Sequence, residues 1–163
     1  MLCVGRLVEY KGVQHAIGAL ERLPEYDLIV AGAGPYRETL EALAADRGLS
    51  DRVEFPGFVD HDRLPGLYAG AEALCALSSF EAYGLTVQEA LAAGTPCVVR
   101  PRGGLQQWVG RPGCVAVEGV SPERVAAGVR EAVGSKVGRE GLVSWEEMGE
   151  RLVAIYRGCL GGE

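Results

Sequence analysis

Six short apolar runs punctuate this sequence, and most are followed by a stretch whose apolar residues recur at helical spacing. The runs are Met1–Val4, Asp27–Ala31, Val53–Phe55, Ala73–Leu77, Cys97–Val99 and Cys114–Val117. Most are continuously apolar, the pattern of a strand covered on both faces rather than one with a wet side. Between the first two, Val13, Ala16, Ile17, Leu20 and Leu23 mark a helix that Pro24 ends. After the second, Pro35 suits the first position of a helix carrying Leu40, Leu43, Ala44 and Arg47 and closing at Gly48. Pro56-Gly57 breaks the third strand, and Asp60 is a plausible cap for a small helix with Leu64, Leu67 and Tyr68 on one face. A further helix closes at Gly94-Thr95-Pro96. Ser121-Pro122-Glu123 opens another, with Ser as cap and Pro in the first turn.

Strand and helix in alternation imply βαβ units, hence a parallel sheet with helices on both faces. The predicted fold is α/β: a Rossmann-like, doubly wound sheet of about six strands, with residues 1–163 forming a single domain. Residues 137–163 include a last helix, opened by the capping box Ser144-Trp145-Glu146-Glu147. It places Trp145, Met148, Leu152, Ile155 and Cys159 on one stripe, a core or docking surface, before Gly158, Gly161 and Gly162 end it. The first strand begins at residue one, and a domain seldom starts flush with a buried strand. Another segment is therefore expected to precede it.

Composition narrows the function. A formal net charge of -6 argues against general nucleic-acid binding. Glycine, at 24 of 163 residues, is about twice the usual ~7%, which implies tight turns and close backbone approaches. Five cysteines are scattered without a CxxC or a nearby histidine, so no metal site is expected; four read as small core residues of a reducing compartment. No stretch nears the ~20 apolar residues of a membrane span and no signal peptide is visible, so a cytoplasmic location is expected.

In an open parallel sheet, ligands lie beyond the carboxyl ends of the strands. The unusual residues concentrate in the loops there. Arg6 and Lys11, five apart, could clamp a diphosphate, or could be two solvated charges. Gly32-Ala33-Gly34 resembles a phosphate loop, but Arg37 stands where GxGxxG has its third glycine, which disfavours a nicotinamide cofactor. Glu81 lies in the turn after the fourth strand, and Glu89 lies in the next helix, on the face of its first turn. A ligand held by the N–H groups of Gly84, Leu85 and Thr86 could approach both acids. The plainer reading is a loop acid and an acid favoured by the helix dipole. His15 and His61, the only histidines, read as surface residues, and Trp108 and Trp145 as packing residues. No Ser/His/Asp set or nucleophile elbow is present.

Together these loops resemble the C-terminal, donor-binding half of a family 4 (group 1) retaining glycosyltransferase of the two-domain GT-B type. The resemblance rests on Val4-Gly5-Arg6-Leu7 with Lys11-Gly12, on Ile29 to Pro35, and on Val53 to Val59. It also rests on Glu81 to Ala90, the E-x7-E motif, with Ala93-Gly94-Thr95-Pro96-Cys97-Val98 following. It implies that Arg6 and Lys11 hold the diphosphate of a nucleotide-sugar based on UDP, GDP or ADP. Glu81 would contact the transferred sugar and Glu89 the ribose. Backbone groups of Gly84, Leu85 and Thr86 would meet phosphate or sugar, and Phe58-Val59 would lie against the base. No metal or other cofactor is implied. The family's usual Pro before Ser78 is Leu77 here, and Gln106 and Gln107 stand where it often has Glu. The family's acceptor-binding N-terminal domain has no counterpart in these residues, and the last helix would pack toward it. Alone, the chain would bind donor and transfer little or nothing. The rivals are half of a GT-B nucleotide-sugar epimerase, a non-catalytic nucleotide-binding or interaction module, and a NAD-binding domain.

Overall fold

The computed structural model describes residues 1–160. Its strands are β1 (Leu2–Val4), β2 (Leu28–Ala31), β3 (Val53–Gly57), β4 (Leu74–Ala76), β5 (Cys97–Val99) and β6 (Cys114–Ala116). They form one sheet in the order β3-β2-β1-β4-β5-β6, and every pairing is parallel. The chain moves outward from β1 to β3, then crosses back to lay β4 on the other side of β1. The strand order therefore reverses between β1 and β4, and that is where a crevice opens at the carboxyl ends.

The helices are α1 (Val13–Ala19), α2 (Arg37–Asp46), α3 (Leu64–Ala69), α4 (Leu85–Ala93), α5 (Pro122–Val133) and α6 (Trp145–Leu160). Side chains alternate across each strand and fill two cores. Cys3, Val30, Cys75 and Val98 point to one face, where Ile17 and Leu20, Leu40 and Ala44, and Val125 and Val129 cover them. Leu2, Leu74, Cys97 and Val99 point to the other, covered by Tyr68 of α3 and by Val87 and Leu91 of α4. Each fully buried Leu or Val stabilises the fold by about 1.5–3 kcal/mol relative to exposure. The sheet, buried on both faces, is the expected doubly wound α/β fold.

Several local expectations shift. β3 runs through Pro56 and Gly57 instead of stopping before them. It is an edge strand, paired only with β2, so the missing proline N–H costs no ladder bond on the open side. α2 begins at Arg37, two residues after Pro35, because the N–H of Tyr36 is engaged by the carbonyl of Leu7. Asp60 does not cap α3 with its side chain; its backbone carbonyl accepts from Arg63 and Leu64. α1 gives way after Ala19 to a 3-10 turn at Leu20–Arg22, with Leu20 and Leu23 still buried. The Arg100–Gly104 loop leads into a 3-10 segment at Gly103–Trp108.

The capping box of α6 forms as expected. The Ser144 N–H donates to Glu147 at 2.9 Å, and the Glu147 N–H donates to the Ser144 hydroxyl at 3.1 Å. Of the α6 stripe, Met148, Leu152 and Ile155 are exposed. The side chains of Trp145 and Cys159, and Gly161 and Gly162, lie outside the described residues. No described helix is long and apolar enough to cross a membrane.

Candidate functional site

The site begins at the switch point. β1 ends at Val4, and the chain passes through Gly5 and Arg6 to a 3-10 turn at Glu9–Lys11. Gly12 then adopts φ 77°, and a Cβ there would stand 2.3 Å from the carbonyl oxygen of Leu77. Only glycine lets the loop after β1 lie this close to the end of β4. The Ser79 N–H donates to the Tyr10 carbonyl at 2.8 Å, tying the two loops together again.

This approach places Lys11 against Glu81. The ammonium donates to a carboxylate oxygen at 2.5 Å, with the side chains 24% and 21% exposed. The other oxygen of Glu81 accepts from the Ala82 N–H at 3.2 Å. Arg6 is exposed beside them and donates to the Tyr10 hydroxyl at 2.8 Å. Arg6, Lys11, Glu81 and Thr86 border a common cavity of about 30 Å³, room for water but not for a sugar. Any larger ligand must sit above it, on the open rim.

Gly5 and Arg6 also border a neighbouring apolar recess of about 290 Å³, whose other walls include Phe58, Val59 and Leu64. Phe58 is 74% exposed, so an aromatic face is presented to solvent at the end of β3. The glycine pair in the loop after β2 has a structural task. A Cβ on Gly32 would lie 1.8 Å from the Gly5 carbonyl oxygen, and one on Gly34 would lie 2.3 Å from that of Leu7. Its resemblance to a phosphate loop thus has a backbone-packing origin.

α4 starts at Leu85 with Gly84 as its cap residue, in the left-handed region. Helix geometry leaves the first N–H groups without intrahelical acceptors, and no acid lies in that first turn. The 3-10 segment after β5 props this turn. Trp108 and Gln107 both donate to the Tyr83 carbonyl at 2.8 Å. Gln107 therefore has a structural partner, and Trp108 is buried as a packing residue.

Leu85 and Glu89 border a third recess with Tyr83, away from the Lys11–Glu81 cavity. Glu89 accepts a 2.6 Å hydrogen bond from the hydroxyl of Tyr68, whose ring is buried in the core. Burial first, and the Glu89 carboxylate second, hold the Tyr68 hydroxyl protonated far above its ordinary range. Thus Arg6, Lys11, Glu81 and Thr86 are gathered in one place, and Phe58 and Val59 adjoin them through Gly5. Leu85 and Glu89 face the flank. Tyr68, read from sequence only as sharing one face of a small helix with Leu64 and Leu67, is the unforeseen member. His15 is half-buried rather than on the surface, and burial, with Arg100 nearby, lowers its pKa below 6.5. Among the described residues no cluster of three or more His, Cys, Asp or Glu could hold a metal.

The family signature "Glycosyl transferases group 1" matches residues 1–149. The chain belongs to the group 1 glycosyl transferases. It is 33% identical to an uncharacterized glycosyltransferase of Methanocaldococcus jannaschii, over 96% of this chain and 44% of that protein. It is 34% identical to the GDP-mannose-dependent alpha-(1-6)-phosphatidylinositol monomannoside mannosyltransferase of Mycobacterium tuberculosis, over 97% of this chain and 47% of the relative. Among solved structures it resembles the Anabaena protein HepE in complex with UDP and glucose, at 25% identity and a TM-score of 0.74. That likeness covers 82% of this chain and 38% of HepE. The chain thus spans less than half the length of these relatives. The residues matched by the group 1 signature include all six described strands of the Rossmann-like sheet.

Proposed function

We propose that this chain is the nucleotide-diphospho-sugar-binding part of a retaining glycosyltransferase, and that its parent transfers a sugar from donor to acceptor. The observation that carries the proposal is the meeting of Arg6, Lys11 and Glu81 at the sheet's switch point, beside the N-terminus of α4. Two cations and a helix N-terminus suit the negative charge that grows on a departing diphosphate. Charge-assisted hydrogen bonds of this kind contribute about 1.5–3 kcal/mol each. Lys11 would turn part of its hydrogen bonding from Glu81 to phosphate. The Glu81 carboxylate, an acceptor only, would then hold hydroxyls of the transferred sugar.

The N–H groups of Gly84, Leu85 and Thr86 would meet phosphate or sugar. Glu89, held by Tyr68, would accept from the ribose, and Phe58 and Val59 would lie against the base. Catalysis would rest on positioning and charge stabilisation, with no metal. The acceptor would be supplied by a further domain, in a cytoplasmic protein. HepE was solved with UDP and glucose, and the mycobacterial relative is GDP-mannose-dependent, which supports the donor class without choosing the base.

Calorimetry of the 163-residue chain with UDP-, GDP- and ADP-sugars tests this reading. Binding of one of them, weakened tenfold or more by Lys11→Ala or Arg6→Ala, is expected. No binding to any of the three overturns the donor site. Robust transfer to an acceptor by this chain alone overturns the need for a further domain.

A further inference from the structure

A second polar recess, of about 300 Å³, lies on the other side of the Tyr10 loop. Tyr10, Gln14, His15, Ser79 and Arg100 line it. The Tyr10 loop is the partition. Its hydroxyl accepts from Arg6 on the donor side, while its carbonyl accepts from the Ser79 N–H on the recess side.

Two polar atoms in this lining are buried and unpartnered: Arg100 Nε and Gln14 Oε1. Arg100 is fixed at the end of β5, where its backbone N–H donates to the Ala76 carbonyl at 3.0 Å. It forms no ion pair among the described residues. Gln14 is held from its other end, its Nε2 donating to the Glu9 carbonyl at 3.0 Å. Its oxygen cannot turn away without breaking that bond. The acid that borders the recess, Glu9, is exposed and joins none of the ion pairs.

A buried guanidinium N–H without an acceptor loses about 1–3 kcal/mol or more of solvation, and a charged group sits at the upper end. An anion restores it. The donors also differ in kind: a planar guanidinium, an imidazole and a hydroxyl. Such a set can reach separate oxygens of one tetrahedral group, whereas Gln14 Oε1 can accept from a hydroxyl on the ligand.

We propose that this recess is a second anion subsite, distinct from the Arg6–Lys11 cavity, and that it receives a phosphate group carried by the acceptor. Arg100 binds the phosphate, His15 adds a donor, Ser79 adds another by turning its hydroxyl from the long 3.4 Å bond it makes to the Tyr10 carbonyl, and Gln14 accepts from a neighbouring hydroxyl. Only the Tyr10 loop separates it from the donor side, so an acceptor anchored here lies beside the sugar to be transferred. Naming the ligand as the acceptor's phosphate rests on the transferase reading. The anion subsite itself does not.

Inorganic phosphate, titrated at fixed pH and ionic strength, tests the subsite. The 163-residue chain is first saturated with whichever nucleoside diphosphate binds it, and the ring protons of His15 and His61 are followed by NMR. The His15 signals are expected to move saturably while those of His61 stay. Arg100→Gln should raise the apparent Kd tenfold or more and Ser79→Ala severalfold, with nucleotide affinity kept within twofold. Parallel or unsaturable movement of both histidines overturns the subsite, as does the same response to acetate or indifference to both substitutions. If no nucleotide binds, the donor reading fails, and the titration is made on Lys11→Ala, where saturable movement of His15 still upholds the anion subsite.

Discussion

The ammonium of Lys11 meets the carboxylate of Glu81 at 2.5 Å across 70 residues of sequence, joining the loop after β1 to the turn after β4. Each side chain keeps about a fifth to a quarter of its surface in water, so the pair is only partly screened. A pair this accessible contributes little to stability, of the order of 1 kcal/mol at most. Its value is in position. Lys11→Met should lower Tm by no more than a few degrees while weakening donor-nucleotide binding tenfold or more in calorimetry. Glu81→Gln should bind the bare nucleoside diphosphate normally but lose the extra affinity given by the attached sugar. Unchanged nucleotide affinity in Lys11→Met would leave the pair a purely structural tie.

Tyr68 joins α3 to α4 through Glu89, from a ring that is almost wholly buried. Tyr68→Phe keeps the packing and removes one hydrogen bond to a charged acceptor, so a loss of about 1–2 kcal/mol is expected. In a domain of this size that corresponds to about 2–8 °C in Tm. Glu89 is exposed and can be rehydrated, which keeps the loss moderate. Because Glu89 would then be free to rotate, donor affinity should fall severalfold, and Tyr68→Phe should bring no further loss on top of Glu89→Gln. An additive loss in the double variant would show that the two residues act separately.

The sheet was legible because a parallel strand buried on both faces leaves a continuous apolar run, and each of the six runs lies on an observed strand. Cys97–Val99 coincides in full, and the Ser144–Glu147 box closes reciprocally as its spacing requires. Pro56 misled because proline breaks a central strand but not an edge, and edge position belongs to topology rather than to local sequence. Arg6, Lys11 and Glu81 could be gathered in advance because all follow strands at one rim. The direct Lys11–Glu81 bond could not, since it depends on Gly12 letting two backbones touch. Tyr68 was hidden for another reason. Its ring follows the apolar stripe of α3, and only the distance to Glu89 reveals the polar end.

His15 should make stability depend on pH. Its pKa in the folded chain is lowered from 6.5, by burial first and by Arg100 second. The unfolded chain therefore binds the proton more readily, and stability rises with pH across the interval between the two values. The contribution is fully present above about 6.5 and is lost as pH falls through the folded value. Denaturant titrations at a series of pH values should show that fall, and His15→Gln should flatten it. Arg100→Ala should raise the His15 pKa, seen in its NMR titration, without restoring 6.5. A His15 titration indifferent to Arg100→Ala would mean that burial alone sets it.

Cys114 should be the reactive thiol among the four cysteines whose environments are described. Cys3, Cys75 and Cys97 are buried, and burial is the leading cause that raises each thiol, Cys75 to about 12. Cys114, on the edge strand β6, is only partly buried and lies in register with Cys97. The neighbouring Cys97 thiol lowers its pKa first, and the nearby Arg111 adds to this against the opposing effect of burial. Thiolate fraction and access then act in the same direction. In the native chain, iodoacetamide followed by peptide mass spectrometry should find Cys114 alkylated well before Cys3, Cys75 and Cys97, which react once denaturant is added. The pH midpoint of the Cys114 rate should lie below the ordinary thiol value. Cys97→Ala should move that midpoint upward, because the neighbouring thiol that favours the thiolate is gone. Equal native-state rates at Cys75 and Cys114 would show that local opening, rather than thiolate character, governs the reaction.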